Sequence, residues 1–307
     1  MQIDLTIIIP CYNVEKFILN ALNSIINQNQ NFLNYEVLII DDGSKDRSVE
    51  LTKYFIEKNN VKNFKLIEKT NGNWGSVINY VKNKVEIKSE YVTILDADDY
   101  YHLDLFSNIE KPMNSNFDLI FTGFYEIKKN RIVKGYLTPQ IKGGLMDKKY
   151  MYFPSLIPLC KFFKTSIFKK IDDLEENVSY QDIILWNEFV EKAETFYYIK
   201  KQFGYYLNNR EGASSTQSFD EKRIGLIMKN IEKLLSNNIY QNGYLMALLM
   251  HLKKNASKDM RKYIKFKKNN YKQIKKFKLL WCPFGTRILT KIGMLIYLNK
   301  LLRKGSL

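Results

Sequence analysis

The sequence predicts an α/β fold in which a mostly parallel sheet is flanked by helices. In the first hundred residues, four short strand patterns rich in β-branched residues alternate with three helical patterns, as in a doubly wound sheet. The strands are predicted at residues 5–9, 35–40, 64–67 and 91–95. Two of them end in acidic clusters, at the edge where sheets of this kind bind their ligands. The fold class and the acidic edge together predict a ligand site.

The segments between and after these strands show apolar residues at helical spacing. Helices are predicted at residues 14–28, 49–55, 75–84 and 181–193, and a further strand at 119–125. From residue 219 onward the pattern is mostly helical and basic. We therefore predict two regions, an α/β domain at 1–218 and a helical, basic C-terminal region at 219–307.

Composition narrows the class of protein. Lys and Arg number 48 against 32 Asp and Glu, a formal charge of +16 that favours an anionic partner. The three cysteines, Cys11, Cys160 and Cys282, are scattered, which argues against a disulfide framework and favours a reducing compartment. No signal peptide is evident at the start, so a cytoplasmic location is expected. Glycine-rich phosphate loops are absent, which disfavours dehydrogenases and kinases.

The acidic strand ends are the strongest chemical signal. Asp96 and Asp98 follow the fourth strand, and Asp41 and Asp42 follow the second. Carboxylates at this edge can converge on Mg²⁺ or Mn²⁺, with phosphate oxygens and water filling the remaining positions. They can also simply cap the helices that follow. Two acidic strand ends facing one crevice favour a site over two unrelated caps.

Three segments resemble the signature segments of family 2 glycosyltransferases. They read Ile-Ile-Ile-Pro-Cys-Tyr-Asn at residues 7–13, Ile-Asp-Asp-Gly-Ser at 40–44 and Leu-Asp-Ala-Asp-Asp at 95–99. The resemblance covers about residues 3–215, with the segments in the expected order. It implies a GT-A fold, which is Rossmann-like, and an enzyme that moves a sugar from a nucleotide diphosphate donor with inversion of the anomeric centre.

The resemblance also implies roles for the donor-side residues. Pro10 and Tyr12 would line the nucleotide pocket, and Asp41 or Asp42 would contact the base, which in this family is often uracil. The segment at 71–75, Asn-Gly-Asn-Trp-Gly, occupies the place of a glycine-containing turn, but its Trp-Gly-Ser continuation is less usual. The contacts of that segment stay open at this stage.

The fourth strand end would hold the metal. By the same resemblance, Asp96 would lie near the ribose or the sugar, and Asp98 would be the main carboxylate binding Mn²⁺ or Mg²⁺. His102, a few residues later, could reach the metal or be structural.

The segment Tyr-Gln-Asp-Ile-Ile-Leu-Trp at 180–186 resembles the family's Glu-Asp-x-x-x-Trp segment. Its Asp182 would be the catalytic base that deprotonates the acceptor hydroxyl. Gln181 replaces the commoner Glu and alters the electrostatic surroundings of that base. The alternative is that Asp182 only stabilises the N-terminus of a helix through the dipole.

Two basic residues complete the expected site. Lys161 matches a basic position that the family often has between the metal site and the base, and Arg210 lies in a segment that resembles the family's closing Tyr-Tyr-x-x-x-Arg motif. Either could contact the nucleotide sugar and neutralise the departing diphosphate. A flexible surface loop is the alternative for the segment around Arg210.

The C-terminal tail predicts a membrane partner. Residues 253–278 contain twelve Lys or Arg against one acid, and an interrupted apolar stretch extends to residue 302. This pattern favours peripheral contact of residues 253–302 with an anionic membrane on its inner face. A helical lobe packed on the α/β domain is the alternative. The predicted acceptor is a membrane-associated glycolipid or a cell-surface polysaccharide precursor.

Three other interpretations compete with this prediction. Charge alone would suit a nucleic-acid-binding protein, but the crevice edge is acidic and no nucleic-acid-binding motif is present. A non-catalytic scaffold could keep the fold without the chemistry, although Asp98 and Asp182 are both present. A sugar-nucleotide pyrophosphorylase would need a glycine-rich, basic loop near the N-terminus.

Overall fold

A computed structural model describes residues 3–29, 33–129, 131–136, 143–146, 157–176 and 181–207. The strands are β1 (Leu5–Cys11), β2 (Tyr35–Asp41), β3 (Phe64–Glu68), β4 (Tyr91–Ile94), β5 (Tyr100–Tyr101), β6 (Leu119–Lys128), β7 (Arg131–Tyr136), β8 (Gly144–Met146), β9 (Lys161–Lys164) and β10 (Phe196–Leu207). The helices are α1 (Ile18–Ile26), α2 (Ser48–Asn59), α3 (Asn73–Lys84), α4 (Leu105–Asn114), α5 (Thr165–Phe168) and α6 (Gln181–Lys192). All strands join one sheet with the main order β3-β2-β1-β4-β9-β6-β10-β5.

The first four strands form the parallel half of the sheet. β1 lies between β2 and β4, and β3 extends the sheet beyond β2. The strands β1, β2 and β4 are buried almost throughout, because helices cover both faces of a parallel sheet. Their carboxyl ends therefore meet at one edge, as the sequence predicts.

Helix α1 shows why the helical pattern folds onto this sheet. Its buried residues include Ile18, Ala21, Leu22 and Ile25, which are spaced three or four apart and face the core. Helices α2 and α3 return the chain from the carboxyl end of one strand to the start of the next. The α/β fold predicted from the sequence is confirmed.

The second half of the sheet has mixed strand directions. The short strand β9 is antiparallel to both β4 and β6, and it bridges the two parallel blocks. Strand β10 is long, pairs in parallel with β6, and meets β5 in the antiparallel direction. Because β4, β9 and β10 lie in one sheet, residues far apart in the sequence reach the same edge.

Several predictions concern residues outside the described ranges. They are Arg210, the boundary at 218, the helical C-terminal region and the basic tail at 253–302. No helix within the described ranges has the length and apolar character needed to cross a bilayer.

Candidate active site

The loops after β1 and β2 are joined by hydrogen bonds. The backbone N–H of Asn13 donates to Ser44 Oγ (3.0 Å), and that of Glu15 donates to Asp46 Oδ2 (3.0 Å). In return, the N–H of Lys45 donates to Asn13 Oδ1 (2.8 Å). The two loops therefore form one rigid wall, and Tyr12 stands on it with its side chain 45% exposed.

Asp41 is the last residue of β2, and one of its carboxylate oxygens accepts hydrogen bonds. Its Oδ2 accepts from the backbone N–H groups of Gly43 (3.1 Å) and Ser44 (3.0 Å), which closes the turn. Gly43 has a φ of 76°, a left-handed conformation that favours glycine. The other oxygen, Oδ1, is buried and meets no hydrogen-bond partner in the part of the chain that the structure describes. Such a buried acceptor costs free energy unless something donates to it.

Asp42, in contrast, is saturated by the protein. It accepts from Lys69 Nζ (2.6 Å) and from the backbone N–H groups of Gly72 (3.0 Å) and Asn73 (2.8 Å). Gly72 and Asn73 are at the start of α3, so Asp42 anchors the N-terminus of that helix. The sequence left open which of the two acids faces a base, and the contacts favour Asp41.

The first turn of α3 reaches the end of β4. The indole Nε1 of Trp74 donates to Asp96 Oδ1 at 2.8 Å. The next residue, Gly75, lies so close to Gln181 that an added Cβ would come within 3.0 Å of its amide nitrogen. The absence of a side chain at residue 75 therefore lets the start of α6, and Asp182 with it, approach α3.

Four aspartates act electrostatically on the buried hydroxyl of Tyr206. Burial raises the pKa of Tyr206, and the negative charges of four aspartates raise it further. These aspartates are Asp99, Asp98, Asp182 and Asp96. The expected metal ligand Asp98 and the expected base Asp182, 84 residues apart in the sequence, thus both lie within electrostatic range of one hydroxyl.

Asp99 has a structural part in this cluster. It is buried, and its Oδ1 accepts from the backbone N–H of Leu207 (2.8 Å), which holds the end of β10 against the end of β4. Asp96 and Asp98 are only partly buried and lie on either side of the buried Ala97. The alternation places these two acids at the open edge of the sheet.

Asp182 lies in the first turn of α6 and is partly buried. The helix dipole favours its negative charge there. Lys161, the first residue of β9, interacts electrostatically with Asp182 and is 3% exposed. Burial lowers the pKa of Lys161 to about 7, although the attraction of Asp182 opposes the shift.

A divalent metal fits this edge on one condition. Within the described ranges, no three acidic, His or Cys side chains converge closely enough to hold an ion by themselves. Mg²⁺ in phosphate-transferring sites is commonly held by one or two carboxylates together with substrate phosphates and water. Asp98, a hard oxygen donor at the open edge, suits that arrangement with a diphosphate completing the shell.

His102 has other partners. Its Nδ1 accepts from the backbone N–H of Asp104 (3.2 Å), and its ring stacks on Tyr205 with centroids 6.0 Å apart. These contacts favour the structural interpretation of His102.

Sequence reasoning missed the contributions of Trp74, Gly75 and Tyr206 to the site. The unusual Trp-Gly-Ser sequence indicated that the turn before α3 differs from the family pattern. The sequence did not indicate that Trp74 would bind Asp96 at the end of β4. In the sequence, Tyr206 was only part of a closing motif, and the aspartates that act on it come from two separate segments.

The fold and the acidic edge define a glycosyltransferase. The model of the family "Glycosyl transferase family 2" matches residues 6–172, which is more than half of the chain. The chain belongs to this family of glycosyltransferases.

Curated relatives agree with this assignment. MG060, an uncharacterised glycosyltransferase of Mycoplasma genitalium, is 36% identical over 239 residues, covering 76% of this chain and 79% of the relative. MG025 of the same organism, also an uncharacterised glycosyltransferase, is 35% identical over 219 residues, covering 70% and 71%.

Among solved structures, residues 1–349 of S. aureus TarS in complex with UDP-GlcNAc superpose with a TM-score of 0.67. The match covers 88% of this chain and 78% of that chain, at 19% sequence identity. At this identity the likeness shows the fold, and it confirms the GT-A architecture expected from the signature segments.

Proposed function

We propose that this enzyme transfers one sugar from a UDP-linked donor, with inversion, to a hydroxyl of a membrane-associated glycolipid or cell-surface polysaccharide precursor. The observation that carries the proposal is that Asp98 and Asp182, from two separate segments, both act electrostatically on the buried hydroxyl of Tyr206 at the end of β10. Support for the donor class comes from the similar fold of TarS, whose crystal structure holds UDP-GlcNAc.

The donor side of the site suits a nucleoside diphosphate. Asp41 Oδ1 is the buried acceptor that the N–H of a uracil ring would satisfy. Tyr12, exposed on the joined loops beside Pro10, offers a ring face to the base. Asp96, fixed by Trp74, is placed to accept from a ribose or sugar hydroxyl.

Transfer needs a base and a stabilised leaving group. In the proposed step, Asp182 takes the proton of the acceptor hydroxyl while the oxygen of that hydroxyl bonds to the anomeric carbon. The bond from that carbon to the diphosphate oxygen breaks, and UDP leaves with the electron pair. Mn²⁺ or Mg²⁺, when bound through Asp98, would supply positive charge at the diphosphate. Arg210, outside the described ranges, is proposed as a further contact of the diphosphate.

The proposed location is the inner face of the cell membrane. Each Lys or Arg held near an anionic leaflet contributes about 1 kcal/mol, and residues 253–278 contain twelve of them. We expect the full chain to bind vesicles containing phosphatidylglycerol and to be released by salt. Charge reversal at Lys267 and Lys268 should weaken that binding, and unchanged partitioning would count against the proposal.

Calorimetry with a panel of nucleotide sugars tests the donor and the metal together. The wild type should bind one UDP-sugar in the presence of Mn²⁺, and Asp98→Ala should lose the metal-dependent part of that affinity. Glu86→Ala, which removes an exposed carboxylate in the loop before β4, is the matched control and should bind normally. If a folded, Mn²⁺-loaded sample bound none of the nucleotide sugars, the proposed donor class would be wrong.

A further inference from the structure

Lys161 is a buried amine in unusual surroundings. Its Nζ lies 4.2 Å from the centroid of the Trp186 ring and donates a hydrogen bond to the carbonyl oxygen of Ile157. An ammonium group is costly to bury unless opposite charge and hydrogen bonds compensate it. The groups that compensate the buried charge of Lys161 therefore indicate its role.

The charged partner is Asp182. Burial disfavours the positive charge of Lys161, whereas electrostatic interactions with Asp182 and with the buried Cys160 favour that charge. Asp182 and Trp186 are four residues apart on α6, so they share one face of the helix. The same amine thus interacts with the carboxylate and with the indole one turn later.

The backbone under Lys161 is tightly held. Thr93 Oγ1 donates to the carbonyl oxygen of Lys161 (2.7 Å), and the residue pairs with Phe121 across β9 and β6. The preceding Cys160 has a φ of 58°, and Gly204 leaves room for its sulfur, since a Cβ there would lie only 2.6 Å from it. The amine therefore extends from a rigid strand rather than from a mobile loop.

We propose that Lys161 is a positioning residue that holds the Asp182 carboxylate in its reactive orientation, with the Trp186 ring packed against the amine. The four-residue spacing of Asp182 and Trp186 then has a physical reason, because both must reach one buried amine. The inference deepens the proposed function and rests on Asp182 being the base. It replaces a direct contact of Lys161 with the leaving diphosphate, which is the competing role.

Lys161→Met tests the two roles, since Met keeps the length of the side chain without its charge. We expect kcat, measured as UDP release from the donor that the calorimetric panel identifies, to fall on the order of 10- to 100-fold. That loss is smaller than the about 100- to 10,000-fold contribution of a general base. The Kd for UDP with Mn²⁺ should stay within about twofold of the wild type. Lys161→Arg, which keeps the charge, should recover part of kcat.

The matched control is Lys164→Met, at the other end of β9. Lys164 pairs with Asp118 at 3.6 Å, so this change also removes one cation from the same strand. It should leave kcat and UDP affinity unchanged. An equal fall in UDP affinity and in kcat for Lys161→Met would assign Lys161 to the diphosphate and overturn the proposal.

A second readout does not depend on turnover. In wild type and Lys161→Met, the titration of the Asp182 carboxyl is followed by carbon NMR, and its midpoint should move to higher pH when the positive charge is lost. The acid limb of the kcat profile should move in the same direction. If the midpoint did not move, Lys161 would not hold Asp182, whether or not the wild type releases UDP. Trp186→Phe provides a second folded variant, in which the ring contact weakens and kcat should fall less.

Discussion

The acids that follow β2 and the acids that follow β4 look alike in the sequence but do different work. Asp42 and Asp46 accept hydrogen bonds from backbone N–H groups and hold loops and helix ends in place. Asp96 and Asp98 are only partly buried and, together with Asp182, act electrostatically on the hydroxyl of Tyr206. A motif that is uniformly acidic therefore divides into residues that shape the site and residues available for chemistry.

The largest effect expected from this division is on the proposed base. Asp182→Asn keeps the shape of the side chain but cannot accept a proton, so kcat should fall about 100- to 10,000-fold. UDP affinity, measured by calorimetry with Mn²⁺, should be unchanged, because the base is not expected to contact the nucleotide. Near-normal turnover with normal donor binding would show that another group is the base.

The second largest effect is expected on stability, when Asp42, which anchors the start of α3, is replaced. Asp42→Asn leaves Lys69 without its buried partner, and breaking such a pair costs about 3 kcal/mol. Urea unfolding should show this as a lower midpoint. Glu50→Gln, which breaks an exposed pair with Arg47, should leave the midpoint where it was. Equal stability of Asp42→Asn and wild type would refute the shaping role.

A smaller effect, on donor affinity, is expected at Trp74, which lies between Asp42 and Asp96. Trp74→Phe removes the indole donor to Asp96 but keeps an aromatic ring at the start of α3. A hydrogen bond to a charged group contributes about 1.5 kcal/mol, so affinity for the UDP-sugar should fall roughly tenfold. The thermal midpoint is the control and should change little. A fall in stability without a fall in affinity would make Trp74 a purely structural residue.

The smallest effect should be a pH dependence at Asp46. Burial raises its pKa, but hydrogen bonds from Ser48 and from the backbone of Glu15 outweigh burial and leave that pKa below its ordinary value. A depressed pKa means that the carboxylate stabilises the fold above its unfolded pKa, near 4, and that the stabilisation disappears as the pH falls further. The stability difference between wild type and Asp46→Asn in urea should therefore be present at pH 7 and smaller at pH 3. A difference that grew on acidification would contradict this.

The parallel half of the fold could be predicted because its signals are local. β1 is predicted at 5–9 and lies at Leu5–Cys11, and the helix predicted at 75–84 lies at Asn73–Lys84. Each element in this group is either a continuous buried strand or an amphipathic helix, and both patterns can be recognised without knowledge of the partner. The family's motifs lie at the ends of these elements.

In the second half of the fold, the strand predicted at 119–125 lies at Leu119–Lys128 and the helix predicted at 181–193 lies at Gln181–Lys192, but β9 and β10 were not predicted. β9 has four residues, and it becomes a strand because β4 and β6 lie on either side of it. The strand β10 contains exposed lysines and register shifts against β6, so it shows no regular alternation. The positions of Lys161 and Tyr206 depend on these two strands, and for that reason their surroundings were hidden in the sequence.

The close approach of Gly75 to Gln181 limits how the enzyme could be re-engineered. A Cβ at residue 75 would lie 3.0 to 3.2 Å from the side chain of Gln181, so that side chain would have to shift beside Asp182. A library that varies the donor wall at residues 71–76 would therefore also disturb the residue next to the proposed base. Donor preference could be changed more safely at Tyr12, which is exposed on a separate wall.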